Sequence, residues 1–207
     1  MNISTPEISL IIAICSLLGS GVTLFLTQLR PPKIACIPGS TIGVNHQQTG
    51  FSLFMPITFT NTAHQPGLLN RCSLLVKKDG EPTSYYLEWT EFVKRDDVKK
   101  SYSRDDFAGP LQVQGRSSIS KFVCFRWRES EFNFTQGKYI VEIIAWVENK
   151  DIVYIRQRHE FFLGEKEVGS LAGHKADKKT AIVWVSIDKQ IASNKLLTDH
   201  EIKKLLG

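Results

Sequence analysis

Apolar and polar residues alternate in two different ways along this chain. From residue 8 to residue 29 the run is almost wholly apolar: between Glu7 and Arg30 no side chain ionises except the Cys15 thiol. At about 1.5 Å per residue such a run spans roughly the 30 Å of a hydrocarbon core, so it predicts a transmembrane helix over 8–29. A cleaved signal peptide is disfavoured, because residues 1–7 carry no Lys or Arg and Thr27-Gln28-Leu29-Arg30 is a poor cleavage site. Gly19, Ser20 and Gly21 lie in mid-span, but no full GxxxG pairing motif is present.

Beyond Pro31 and Pro32, which end the helix, the period drops to two and turn residues punctuate the chain. Strands are expected at 34–37, 51–60, 68–77, 84–93, 118–127, 139–148, 152–163 and 181–187. Within 51–60, Phe51, Leu53, Met55, Ile57 and Phe59 share one face, and Pro56, lacking a ladder donor, predicts an edge or a bulge. Along 84–93 strict alternation puts Tyr85, Leu87, Trp89 and Val93 together. A three-residue loop, Asn149-Lys150-Asp151, pairs Val147 with Val153 and Ala145 with Ile155 on the core face, and Glu142 with Arg158 and Trp146 with Tyr154 on the other. The charged segment 94–107 reads as either helix or loop, and 164–179 as a long loop. Thr198 and Glu201 form a capping box ahead of Ile202, Leu205 and Leu206, predicting a short amphipathic helix.

Many short strands without βαβ alternation imply a mainly β fold of two packed antiparallel sheets, which resembles the immunoglobulin and fibronectin type III sandwich class. The resemblance is one of strand number and alternation, since the Cys, Trp and Cys framework of true immunoglobulin domains is missing. The expected organisation is a short tail (1–7), a transmembrane helix (8–29), a linker (30–33), an immunoglobulin-like β-sandwich (34–190) and a C-terminal amphipathic helix (191–207).

Charge then orients the span. All 26 Lys and Arg but only 20 of the 21 Asp and Glu lie beyond residue 29, a net +6 that suits a domain beside anionic headgroups and falls short of a nucleic-acid signature. Arg30 and Lys33 directly follow the span and act as topology determinants. They favour an outside N-terminus and a cytoplasmic C-terminal domain. The odd number of thiols beyond the span, Cys36, Cys72 and Cys124, agrees with a reducing compartment.

Chemistry is sparse. The five histidines lie singly, without HxH or HExxH spacing; GxSxG and Walker motifs are absent; and the acidic pairs at 96–97 and 105–106 are crowded by Lys and Arg. The expectation is therefore no catalytic, cofactor or metal residue. Arg126, Arg128, Arg156 and Arg158 repeat at period two and, with Trp146 and Tyr154, form a possible partner-binding face, unless Glu142 and Glu148 neutralise it. A membrane-anchored, non-enzymatic interaction or assembly protein with an unidentified protein partner is the leading expectation. Alternatives are an exported envelope domain for adhesion or chaperoning, and a hydrolase whose loops bring together at least two of His46, His159, Asp97 and Cys124.

Overall fold

The computed structural model describes residues 5–47, 49–96, 101–128, 132–148, 152–178, 181–187 and 200. Helix α1 (Thr5–Leu24) runs into a π-type turn, Phe25–Leu29. Its apolar window, Ile8–Gln28, has a mean hydropathy of 2.3, and none of it is buried. Two hydroxyls bond back into the helix, Thr23 Oγ1 to the Gly19 carbonyl (2.8 Å) and Thr27 Oγ1 to the Thr23 carbonyl (2.7 Å), so neither exposes an unpaired donor. The chain turns extended at Arg30 (φ −69°, ψ 124°), whose N–H donates to the Phe25 carbonyl. Three residues later it is stapled to the β domain. The Lys33 N–H donates to Asn61 Oδ1 (3.2 Å) and the Lys33 carbonyl accepts from the Thr62 N–H (3.1 Å).

The β domain comprises β1 (Ile34–Pro38), β2 (Thr41–His46), β3 (Phe51–Asn61), β4 (Gly67–Lys78), β5 (Ser84–Asp96), β6 (Ser101–Phe107), β7 (Leu111–Val113), β8 (Ser117–Trp127), β9 (Gly137–Val147), β10 (Ile155–Leu163), helix α2 (Glu165–Ala176) and β11 (Val183–Ser186). All the ladders are antiparallel and join in the order β10-β9-β4-β5-β8-β3-β2-β11, with β1 beside β3, β6 beside β5 and β7 beside β4. The two ends of this order meet at a Phe161–Ile187 bridge, and the Ile187 N–H donates to the Ser40 carbonyl (2.8 Å). The expected pair of separate sheets is thus corrected to one sheet coiled into a nearly closed barrel, which buries one face on itself.

Alternate residues fill the interior. Phe51, Leu53, Met55, Ile57 and Phe59 of β3 are all buried, as are Leu74, Val123, Phe125, Ile143 and Phe161 from neighbouring strands. Burying each such side chain stabilises the fold by about 1.5–3 kcal/mol. Pro56 lies neither at an edge nor on a bulge. Partners on one side of β3 change beneath it: β2 pairs through Phe54 and β1 resumes at Ile57, so no ladder donor is required at Pro56. The Pro56 carbonyl accepts from Gly39 N–H (2.8 Å) in the β1–β2 turn, where a Cβ on Gly39 would lie 2.6 Å from the proline ring.

The β9–β10 register is the expected one, with Ala145 opposite Ile155 and Glu142 opposite Arg158. Other expectations are corrected. Segment 94–107 continues β5 and returns as β6; β2 and β7 are additional strands. Residues 165–176 form a helix rather than a loop. The Glu167 carboxylate accepts the Gly164 N–H (3.1 Å), acids occupy the first turn and His174 and Lys175 the last, and Leu171 is buried with Val168 beside it. The helix expected at 191–207 lies outside the described residues apart from His200.

Candidate functional site

Of the six residues expected to bind a partner, the structure gathers four around β9 and β10 and sends two elsewhere. On the outer face of β9, Glu142 is fully buried and bonded to the Arg156 guanidinium, with Arg158 opposite it in register. Trp146 is buried (3% exposed) beneath the Arg71 guanidinium, 4.4 Å from its ring, and packs with Leu75 and Ile144 in a small outer cluster edged by Tyr86 and Val153. Only Tyr154 of this group is well exposed. On this face Glu142 is bonded to Arg156, and Trp146 is part of a packed cluster. Arg128 is exposed beyond the end of β8. Arg126 lies on the opposite side of the barrel, on the outer face of β8.

Around Arg126 the outer surface forms a cleft. Its floor is built by β5, β8, β3 and β2, and its flanks by β6 and β11. Two register shifts position its charges. A bulge between Trp89 and Glu91 turns Glu91 outward opposite Cys124, and a second between Phe92 and Val93 sets Arg104 opposite Val93. Glu91 therefore accepts from both Arg104 Nε (2.6 Å) and Arg126 Nη2 (2.8 Å). Strict alternation places Val93 in the interior; the first bulge instead puts it on the outer face with Phe54 and Cys124.

Further along, three aromatic rings pack against one another: Tyr102 and Phe122 at 5.3 Å between centroids, Phe122 and Trp184 at 5.5 Å, Tyr102 and Trp184 at 5.8 Å. Gly43 of β2 permits this, since a Cβ there would lie 2.8 Å from the Trp184 ring and 2.6 Å from Ile182. Trp184 and Tyr102 stand between two hollows, about 410 Å³ toward Thr41 and about 620 Å³ toward Gln47. In the larger hollow the Asn45 side chain is buried (1% exposed), yet neither Oδ1 nor Nδ2 has a hydrogen-bond partner. Nearby, Gln47 Nε2 donates to Ser52 Oγ at 3.1 Å.

His46 and His159 point into the barrel, Cys124 lies on the outer face of β8, and Asp97 is outside the described residues. Burial pushes the Cys36 thiol up to about 12 and raises those of Cys72 and Cys124, so none of the three is a ready nucleophile near neutral pH. All four cysteines are free thiols. Among the described residues no group of three His, Cys, Asp or Glu side chains is placed to hold a metal ion.

These features define a nearly closed antiparallel barrel carrying an exposed apolar helix, with an amphipathic cleft on its outer wall. Neither a family model nor a curated protein sequence matches the chain. Among solved structures it is loosely similar to a protein from Archaeoglobus fulgidus (TM-score 0.34, 11% identity, covering 65% of this chain and 98% of that one). It is also loosely similar to a sporulation control protein from Bacillus subtilis (0.29, 9%, 65% and 49%) and to a candidate late embryogenesis abundant (LEA) protein (0.31, 12%, 90% and 87%).

Proposed function

We propose that the chain is a single-pass membrane protein whose β domain serves non-enzymatic interaction or assembly at the bilayer surface, with its N-terminus outside and the domain in the cytoplasm. The observation that carries this reading is the helix itself. The 21 residues Ile8–Gln28 bury nothing against the barrel. Left in water, their apolar surface costs about 25 cal/mol per Å², and lipid removes that cost. Arg30 and Lys33 at its end favour the cytoplasmic side. The short tether to Asn61 keeps the barrel close to the surface, where confinement to a plane raises its effective concentration for any partner held there.

Alkaline carbonate extraction of cells expressing the full chain tests the anchor. The protein stays with the membrane and detergent releases it; recovery in the supernatant, or a mature N-terminus beyond residue 29, identifies a signal sequence instead. For sidedness the buried Cys36 is unsuitable, whereas Thr83, exposed between β4 and β5, carries a label when changed to Cys. An impermeant maleimide reaches Thr83→Cys only after permeabilisation. Labelling in intact cells points to an exported envelope domain.

A further inference from the structure

We infer that the cleft on the outer wall binds an extended acidic peptide segment of a protein partner. Three independent features specify such a ligand. First, the cleft has the length of a peptide. It follows β2 from Thr41 in one hollow to Gln47 in the other, six residue steps of about 3.3 Å and so about 20 Å, with Trp184 and Tyr102 as a saddle between them. Second, Asn45 offers a buried donor and a buried acceptor side by side, both unpaired. An unsatisfied buried carboxamide costs stability. A peptide group presents the complementary acceptor and donor within one extended residue. Third, among the described residues that line the two hollows, cations outnumber carboxylates: Lys94, Arg95, Arg104 and Arg126 stand with Glu91, which binds the last two. Carboxylate side chains are attracted to such a surface, and guanidinium groups bind them in bidentate geometry.

The aromatic saddle argues against a free nucleotide. Its rings are 5.3–5.8 Å apart and already packed on one another, so a planar base finds no slot between them. Trp184 nevertheless remains 37% exposed, an apolar shelf on which an aliphatic or aromatic side chain of the peptide rests. Cation, amide and shelf then read three neighbouring positions of one strand: an acidic residue over the arginines, a backbone amide at Asn45 and an apolar residue on Trp184.

The inference rests on reading the domain as an interaction module. A hexapeptide library displayed on phage is panned against the full chain in detergent micelles. Enriched sequences carry Asp or Glu within two or three positions of an aromatic or branched apolar residue. A synthetic peptide of the winning sequence binds with an affinity that falls as salt rises. Asn45→Leu weakens that binding tenfold or more while leaving the thermal midpoint unchanged or higher, which separates recognition from folding. Trp184→Ala, at an exposed position, weakens it comparably. The inference is overturned by a panning that enriches no acidic sequence, by equal binding to both variants, or by AMP or inorganic phosphate occupying the cleft with the same dependence on Asn45. Peptide binding by a chain recovered from the soluble fraction leaves the cleft intact and removes the anchor. A membrane-bound chain without peptide binding does the reverse.

Discussion

Two regions of the barrel's outer wall carry a tryptophan, arginines and a buried polar side chain, and they are assembled to opposite effect. On β9 and β10, Glu142 is fully buried but bonded to Arg156, and Trp146 lies under Arg71. On β2, β8 and β5, Glu91 is held by two arginines, but the adjacent Asn45 amide is buried with nothing to bond, and Trp184 is open to solvent. The first region pairs its buried carboxylate with a guanidinium of the same face. The second leaves both polar atoms of a buried carboxamide unbonded, and residue types alone do not separate the two.

The largest expected break is Glu142→Leu. Removing one partner of a buried ion pair leaves the Arg156 charge, 11% exposed at its side chain, without its counter-ion, at a cost of about 3–5 kcal/mol. A guanidinium unfolding midpoint of the full chain in mild detergent reads the loss. The double change Glu142→Leu with Arg156→Met recovers most of it, because well-packed apolar groups replace buried pairs at little cost. Recovery no better than the single change would mean that the rest of this face, not the pair, depends on the carboxylate.

Next come the two tryptophans. Trp146→Ala empties a packed cluster and costs about 3–5 kcal/mol, whereas Trp184→Ala, on a short terminal strand and one-third exposed, costs about 1 kcal/mol. Comparable losses by the same denaturation assay would end the distinction between a structural face and a binding face. Asn45→Leu has the opposite sign. It removes an unpaired amide and raises stability by about 1 kcal/mol, against the several lost at Glu142. A fall in the midpoint would show that Asn45 has a structural task.

The strands were readable wherever alternation is strict. The inner face of β3, the β9–β10 register and the apolar helix all follow from period and length. What alternation does not encode is a one-residue slip. The bulge after Trp89 moves Glu91 and Val93 to the outer face, and with them the polar end of the cleft, so the reading from sequence followed Arg126 without its carboxylate partner. Pro56 misled differently, since a proline inside a strand reads as an edge until the change of partner from β2 to β1 is known. In α2 the cue was present in the Glu165 and Glu167 start and the Val168–Leu171 spacing, but Gly164, Gly169 and Gly173 pointed to a loop. Closure of the sheet is a long-range property, fixed by Phe161 meeting Ile187, and no local pattern announces it.

The smallest predicted effect compares neighbours on one strand. His46 follows Asn45 on β2 and faces the interior, edge-on to Phe132 and Phe134, with Nε2 donating to the Phe132 carbonyl. Burial holds its pKa below the ordinary value of about 6.5. The hydrogen bond to the carbonyl opposes that shift, and the Lys175 ammonium, which donates to the same carbonyl at 3.2 Å, adds to it. The folded chain therefore favours the neutral ring, while the unfolded chain protonates it as usual. Stability from this group is fully present above about pH 6.5 and is lost as pH falls from there through the lower folded value. Thermal midpoints recorded between pH 7.5 and 5.5 decline below pH 6.5 in the unaltered chain and stay flatter in His46→Leu, where Lys175 keeps the carbonyl satisfied. Asn45→Leu, one residue away on the other face, lifts the whole curve without changing its slope. A slope that persists in His46→Leu would assign the acid sensitivity to another group.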